Sequence, residues 1–229
     1  MITCNLQGGL GNQLFQIAAT YALALRNGDE CGFDFKSCHT PLQGNPSIKY
    51  KDTILRNIKD VDNTARVSYS EPRFGYEELP YAPNLVLNGY FQSEKYFIDY
   101  KNEILSLFNI SNRDSADAFL YHYDVMFTKP LTSVHIRRGD YLNNPDFHPV
   151  CTIEYYRKAM DIIGDSVFVF ISDDMDWVKE NFKGDNIVYS NNDELTDFAI
   201  MTLTEHNIIA NSSFSWWGAY MNQFENPRT

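Results

Sequence analysis

The sequence predicts an α/β protein built on parallel strands, and three observations carry that expectation. Short apolar runs alternate with amphipathic helical stretches through the second half of the chain. One run, Val167-Phe168-Val169-Phe170-Ile171, is unbroken, as befits a strand buried on both faces. The chain also opens with a strand, a glycine-rich turn, a helix and a second strand within its first 35 residues.

Taken in order, Ile2 to Leu6 reads as a strand and Gly8-Gly9-Leu10-Gly11-Asn12-Gln13 as a turn. A helix follows from about Asn12 to Arg26, with Leu14, Ile17, Ala18, Tyr21 and Leu25 on one face and Asn27-Gly28 as its stop. Cys31 to Phe35 is the next strand. Residues 36–84 contain five prolines and little periodicity, with a short helix expected near Thr53 to Ile58. A strand at Leu85 to Leu87 precedes a helix from Glu94 to Phe108, whose apolar face is Phe97, Ile98, Ile104, Leu105 and Phe108. The polar, then mixed, segment Ser111 to Pro130 is the expected boundary, dividing a domain at 1–130 from one at 131–229.

In the second half, strands are expected at 131–136, 167–171, 186–189 and 207–210. Helices are expected from the Thr152 cap to Gly164, near Asp176 to Phe182, from Asp193 to Thr204, and onward from Ser213.

Composition sets limits on function. The 229 residues carry a net charge of −11, which argues against a nucleic-acid or anionic-membrane surface. An anionic ligand must then be held by a few local arginines. Aromatic residues make up 15% of the chain, which suits ring stacking on ligands or sugars and equally suits a well-packed core. Cys4, Cys31, Cys38 and Cys151 have the spacing of neither a zinc site nor a disulfide framework and read as reduced cytosolic thiols. Neither a signal peptide nor a membrane span is visible, so a cytoplasmic location is expected, with peripheral membrane association left open.

In parallel α/β sheets ligands bind at the carboxyl ends of the strands, which turns four segments into candidates. The glycine turn offers close backbone approach and a helix N-terminus. It fails the dinucleotide spacing, since the third glycine would fall on Leu14. The run His135-Ile136-Arg137-Arg138-Gly139-Asp140-Tyr141 puts two arginines at the end of an apolar strand. Side chains alternate there, so one arginine suits a bidentate clamp on a diphosphate while the other pairs with Asp140 or a neighbouring carboxylate. Ser172-Asp173-Asp174-Met175-Asp176 reads as a helix cap with one ligand contact. The competing reading is a divalent-metal D-x-D motif through Asp174 and Asp176. Asn211 to Trp217 places small hydroxyl residues at a helix start, with Trp216 and Trp217 behind them.

Five blocks then point one way. GGLGNQLFQ (8–16), GYFQSEKYF (89–97), VHIRRGDY (134–141), FISDD (170–174) and IIANSSFSWWGAY (208–220) together resemble the α-1,2-fucosyltransferases of glycosyltransferase family 11, in the family's order across nearly the whole chain. The resemblance implies an inverting, metal-independent transferase of GT-B-like fold with two Rossmann-type lobes. The acceptor side would be 1–130 and the GDP-fucose side 131–229. It implies no cofactor beyond the donor substrate GDP-fucose, and a galactose-containing glycan as acceptor, reacting at its 2-hydroxyl.

Residue by residue, the resemblance puts Arg137 on the donor's β-phosphate, with Arg138 structural or on a second phosphate oxygen. Asn12 would line the donor cleft near the leaving group, in a turn shaped by Gly9 and Gly11. Ser212, Ser213 and the backbone at Phe214 would hold the diphosphate, and His135, Asp173 and the His206-Asn207 region would lie near guanosine. Asp140 is carried as a catalytic candidate. With Asp146 and His148 it is among the nearest groups for deprotonating the acceptor, a role no motif assigns. Family members usually continue several dozen residues past the last block, so a shortened donor lobe is expected. The rival reading is a non-catalytic GDP-sugar or glycan-binding protein left by such a loss.

Overall fold

A computed structural model of the chain describes residues 1–36, 44–62, 64 and 67–223. Cys38 lies outside the described residues, and Cys4, Cys31 and Cys151 are free thiols. The chain divides into two compact units, Met1–Ile110 and Ser111–Thr229. Residues 111–130 therefore go with the second unit instead of ending the first. Their polar stretch is the helix α3 (Arg113–Phe127), which buries Ala116 and Leu120 and packs on a later helix of its own unit.

The first unit is a parallel sheet around one buried helix. Its strands are β1 (Thr3–Cys4), β2 (Val67–Ser70) and β3 (Leu85–Asn88), in the order β1-β3-β2. The register pairs Thr3 with Val86 and Val67 with Leu85. The strand expected at Cys31 to Phe35 is reduced to two parallel bridges, Ile2 with Cys31 and Phe33 with Asp60. The edge strand β2 escaped the sequence reading because it is largely exposed and lacks an apolar run.

Helix α1 (Leu10–Arg26) buries 14 of its 17 residues, so the single apolar face expected of it is instead burial on nearly every side. Two of its buried polar side chains find partners within the fold, as burial demands. Thr20 Oγ1 donates to the Gln16 carbonyl at 2.7 Å, and Gln16 exchanges hydrogen bonds with the Gln7 backbone at 3.0 and 3.2 Å.

Two helical expectations in this unit change. Residues 51–57 form a chain of turns, not a helix near Thr53 to Ile58. Between Glu94 and Phe108, two 3₁₀ turns (Glu94–Tyr96 and Ile98–Tyr100) precede a shorter helix α2 (Lys101–Leu107). The break sits at Phe97, whose backbone leaves the helical region at φ −138°, while its buried ring packs against Phe15 at 6.1 Å.

The second unit holds four parallel strands, β4 (Leu131–Ile136), β5 (Val167–Ser172), β6 (Ile187–Tyr189) and β7 (His206–Ile208), in the order β6-β5-β4-β7. All three pairings are parallel, as expected from the alternation of elements. Helices α4 (Ile153–Ile163) and α5 (Met175–Asn181) cover one face. Tyr156, Val178 and Phe182 there join Val134, Ile136, Phe168, Phe170 and Ile208 in the core.

Against the other face lie α6 (Glu194–Leu203) and α7 (Ser213–Tyr220). Ser133 Oγ accepts from Asn207 Nδ2 at 2.6 Å, the same amide donates to the Met201 carbonyl at 2.7 Å, and Asn222 Nδ2 donates to Asn207 Oδ1 at 2.8 Å. One carboxamide thus ties β7 to β4, to the end of α6 and to the segment after α7. Among the described residues, no helix is long and apolar enough to cross a membrane.

Two predictions follow from packing in this unit. A Cβ at Gly218 would meet Cβ and Cε of Met201 at 2.8 Å. Gly→Ala inside a helix ordinarily gains about 1 kcal/mol. Met201 Cβ is fixed to its own helix and cannot swing away, so Gly218→Ala should instead destabilise by about 1–3 kcal/mol in urea unfolding. The second concerns Asp197, which is hydrogen-bonded to Ser190 Oγ. Burial, reinforced by the nearby Asp193 charge, pushes its carboxyl up to about 7 against the pull of Ser190. A carboxyl whose folded value is raised favours the fold below its unfolded value, and that contribution is lost as pH rises through 7. Differential scanning calorimetry should show Asp197→Asn gaining on the wild type in Tm between about pH 5 and about pH 8. A difference independent of pH would refute this.

Candidate functional site

In the first unit the glycine turn is held by carboxamides. Gln13 Nε2 donates to the Gly8 carbonyl at 2.8 Å and to the Asn45 carbonyl at 2.9 Å. Gly8 has φ +76°, and a Cβ there would overlap the Asn12 amide. A side chain at this position would therefore be both strained and blocked. Gly9 forms the N-cap of α1 without a side-chain bond, and Gly11 is buried in the first turn. Asn12 is 8% exposed, and its Oδ1 accepts from Gln92 Nε2 at 2.6 Å. Gln92 went unremarked in the sequence except as part of the GYFQSEKYF block, because 80 residues separate it from Asn12.

In the second unit, the carboxyl ends of β4 and β5 bring four expected residues together. Arg137 Nη2 lies 2.6 Å from Asp140 Oδ1, and its Nη1 lies 3.1 Å from Asp173 Oδ2. Asp173 Oδ1 also accepts the Arg138 main-chain N–H at 2.9 Å. A Cβ at Gly139 would come within 2.5 Å of Asp173 Oδ2, so the glycine is what lets this carboxylate approach the turn. One guanidinium N–H of Arg137 is thus hydrogen-bonded to Asp140 while a second nitrogen is ion-paired with Asp173, and the group is clamped in position with N–H donors left for an anion.

Arg138 takes the structural part, with a different partner from Asp140. Its Nε donates to Asp174 Oδ2 at 2.9 Å, and its guanidinium lies 3.9 Å from the centroid of the Trp177 ring. The stacking on Trp177 was not foreseen. The D-x-D reading is disfavoured by the same contacts, because Asp174 spends one oxygen on Arg138 and the other on capping α5 at the Trp177 N–H.

His135 is 5% exposed, and its ring packs at 5.3 Å from Phe214, which in turn meets Phe198 at 5.4 Å. Burial, aided by the Arg137 charge, pushes the imidazole down to about 3, so the ring is neutral at ordinary pH. Its Nδ1 is buried and has no hydrogen-bond partner among the described residues. Ser212 is the N-cap of α7 and Ser213 its first residue. Ser215 donates back to the Ala210 and Ser212 carbonyls at 3.3 and 3.2 Å, which fixes the loop ahead of the helix.

His206 does not join this group. It pairs with Thr132 at the amino end of the sheet, five residues before Arg137, or about 16 Å along a strand. Its neighbour Asn207 is occupied in the Ser133 network. Among the other acid-base candidates, His148 stacks on Tyr141 with ring centroids 4.6 Å apart, and Asp146 is exposed.

The model of glycosyl transferase family 11 matches residues 1–226. The O-antigen biosynthesis glycosyltransferase WbnK of Escherichia coli is 33% identical over 279 aligned residues, covering 98% of this chain and 91% of that protein. The galactoside alpha-(1,2)-fucosyltransferase 2 of Oryctolagus cuniculus is 30% identical and aligns with 96% of this chain and 67% of its own length. Among solved structures, the fucosyltransferase NodZ from Bradyrhizobium superposes with a TM-score of 0.59 at 14% identity, over 95% of this chain and 92% of that one. That likeness extends the parallel α/β architecture to a known fold. On the family match and the level of identity to its relatives, the chain belongs to glycosyl transferase family 11.

Proposed function

We propose that the protein transfers L-fucose from GDP-fucose to the 2-hydroxyl of a galactose in a glycan, with inversion, in a GT-B arrangement. The second unit would take the donor and the first the acceptor. The observation that carries this reading is the Arg137 guanidinium, held by Asp140 and Asp173 at the carboxyl end of β4 with N–H donors to spare. The α-(1,2)-fucosyltransferases among the relatives supply the sugar and the linkage.

In the reaction the acceptor oxygen bonds to the anomeric carbon as the bond from that carbon to the phosphate oxygen breaks. The bonding pair leaves with the diphosphate, and the hydroxyl proton passes to a base. Negative charge on the leaving diphosphate grows toward the transition state, so a cation fixed in advance lowers the barrier more than it tightens ground-state binding. Arg137 supplies that cation, and the main-chain N–H groups in the first turn of α7, after the Ser212 cap and around Phe214, add a second donor set. Asp140 and Asp173 act by holding the guanidinium in place. The neutral His135 suits hydrogen bonding to a guanine edge, and Asn12, fixed by Gln92, suits the leaving-group side of the donor.

The direct test is incubation with GDP-fucose and a panel of β-galactosides, with products read by mass spectrometry. Arg137→Ala should lower turnover by about two to three decades, or roughly 3–4 kcal/mol, while the protein stays folded. Arg137→Lys should fail nearly as badly, since an ammonium cannot reproduce a planar, two-pronged contact. Arg138→Ala should cost about 2 kcal/mol in stability, through loss of its bond to Asp174 and its stacking on Trp177. Near-wild-type turnover in Arg137→Ala would overturn the donor site.

A second prediction is that saturating EDTA leaves transfer unchanged. Its basis is the engagement of Asp174 by Arg138 and the α5 cap, together with the cation already at the strand end. Loss of activity restored by manganese would revive the D-x-D reading.

A further inference from the structure

Phe74, exposed on the loop after β2, and Tyr90, half-buried on the turn that carries Gln92, form an aromatic pair that the donor chemistry leaves unused. Phe74 is 77% exposed, yet its ring stacks on Tyr90 at 6.1 Å with the planes 22° apart. Both flanks of its loop are pinned. On one side, Glu71 Oε2 accepts the main-chain N–H bonds of Tyr90 and Phe91 at 2.7 and 3.2 Å. On the other, the Tyr96 hydroxyl donates to the Gly75 carbonyl and accepts from the Glu77 N–H, both at 3.2 Å. Tyr90 is set in turn by Phe91, which is fully buried and held at φ +50°, a costly backbone for a bulky residue. Tyr76, on the same loop and 42% exposed, packs on Tyr96 at 5.0 Å, with the Lys95 ammonium 5.9 Å from its ring.

We propose that Phe74 and Tyr90 form a stacking platform for a pyranose ring of the acceptor glycan, an inference that rests on the glycosyl-transfer reading. A pyranose presents a flat face of C–H bonds rimmed by hydroxyls. It therefore suits a flat aromatic surface with polar groups at its edge. Here Arg73, next to Phe74 in the chain, pairs with Glu77, and Glu71 binds the main chain at Tyr90, so charged groups flank both rings along the chain. Gln92, two residues beyond Tyr90 in the chain, donates to Asn12 of the glycine turn, so the same segment reaches both the rings and that turn. A second copy of the chain is a poorer occupant. A stable dimer needs about 800 Å² from each partner, and closing it here would strip water from the Arg73–Glu77 ion pair, whose arginine is 76% exposed.

The test compares wild type, Phe74→Ala and Phe74→Tyr. An exposed ring can be removed without emptying the core, so all three should fold alike by circular dichroism. In Phe74→Ala the KM for lactose should rise about tenfold, with kcat, the KM for GDP-fucose and the rate of donor hydrolysis within about twofold of wild type. Phe74→Tyr should behave as wild type. Saturation-transfer NMR with lactose alone reads the platform without turnover, and its signal should fall in Phe74→Ala. Unchanged lactose KM and NMR signal in Phe74→Ala would overturn the platform, as would a change confined to the sedimentation coefficient. Lactose binding that depends on Phe74 without any fucosyl transfer by the wild type would sustain the platform and overturn the transfer reading instead.

Discussion

The second unit is organised around one guanidinium. Arg137 follows directly on a strand whose six residues are all buried, and the strand is flanked by β5 and β7 in parallel register. A positive charge at the end of such a strand needs anions nearby, and the fold provides them from two directions. Asp140 comes from the turn just after the strand, and Asp173 from the end of the neighbouring strand. The cost of losing rotamer freedom in a long side chain is met in folding, before any ligand arrives. The same requirement explains Gly139, where any side chain would collide with Asp173, and Asp173's second bond, to the Arg138 backbone. With the backbone of this corner held, Arg138 is free to turn the other way, onto Asp174 and Trp177.

Legibility in the sequence tracked burial. The strand β5 was visible because a strand covered on both faces is apolar at every position, as in Val167 to Ile171, and β4, β6 and β7 through their alternation with amphipathic helices. Elements without such a run or rhythm were not. The two-turn start of the 94–108 segment carries the same apolar residues a helix would, and only the packing of Phe97 on Phe15 reveals the break. Helix α3 was read as a boundary because its sequence is mostly polar and buries only a narrow stripe.

The site followed a similar rule. Arg137, Asp140 and Asp173 could be anticipated because residues at the carboxyl ends of adjacent parallel strands are neighbours by construction. Gln92 and Glu71 could not be, since their partners are set by tertiary approach across loops. His206 shows the limit of reasoning from motif blocks. It lies close in sequence to the Ser212-Ser213 helix start, but a parallel strand intervenes and carries the two to opposite ends of the sheet.

The two units hold their candidate residues by different physics. Around Arg137 the contacts are ionic, and such contacts weaken as salt screens them. The glycine turn of the first unit is built from neutral amides instead. The Gln13 and Gln16 side chains bind backbone groups, those of Gln7 among them, and Asn12 binds Gln92. None of these side chains titrates, and none carries a net charge for counterions to shield. The shape of that turn is therefore decoupled from ionic strength, while the grip on Arg137 varies with it. A change of medium would loosen one half of the machinery and leave the other as it was.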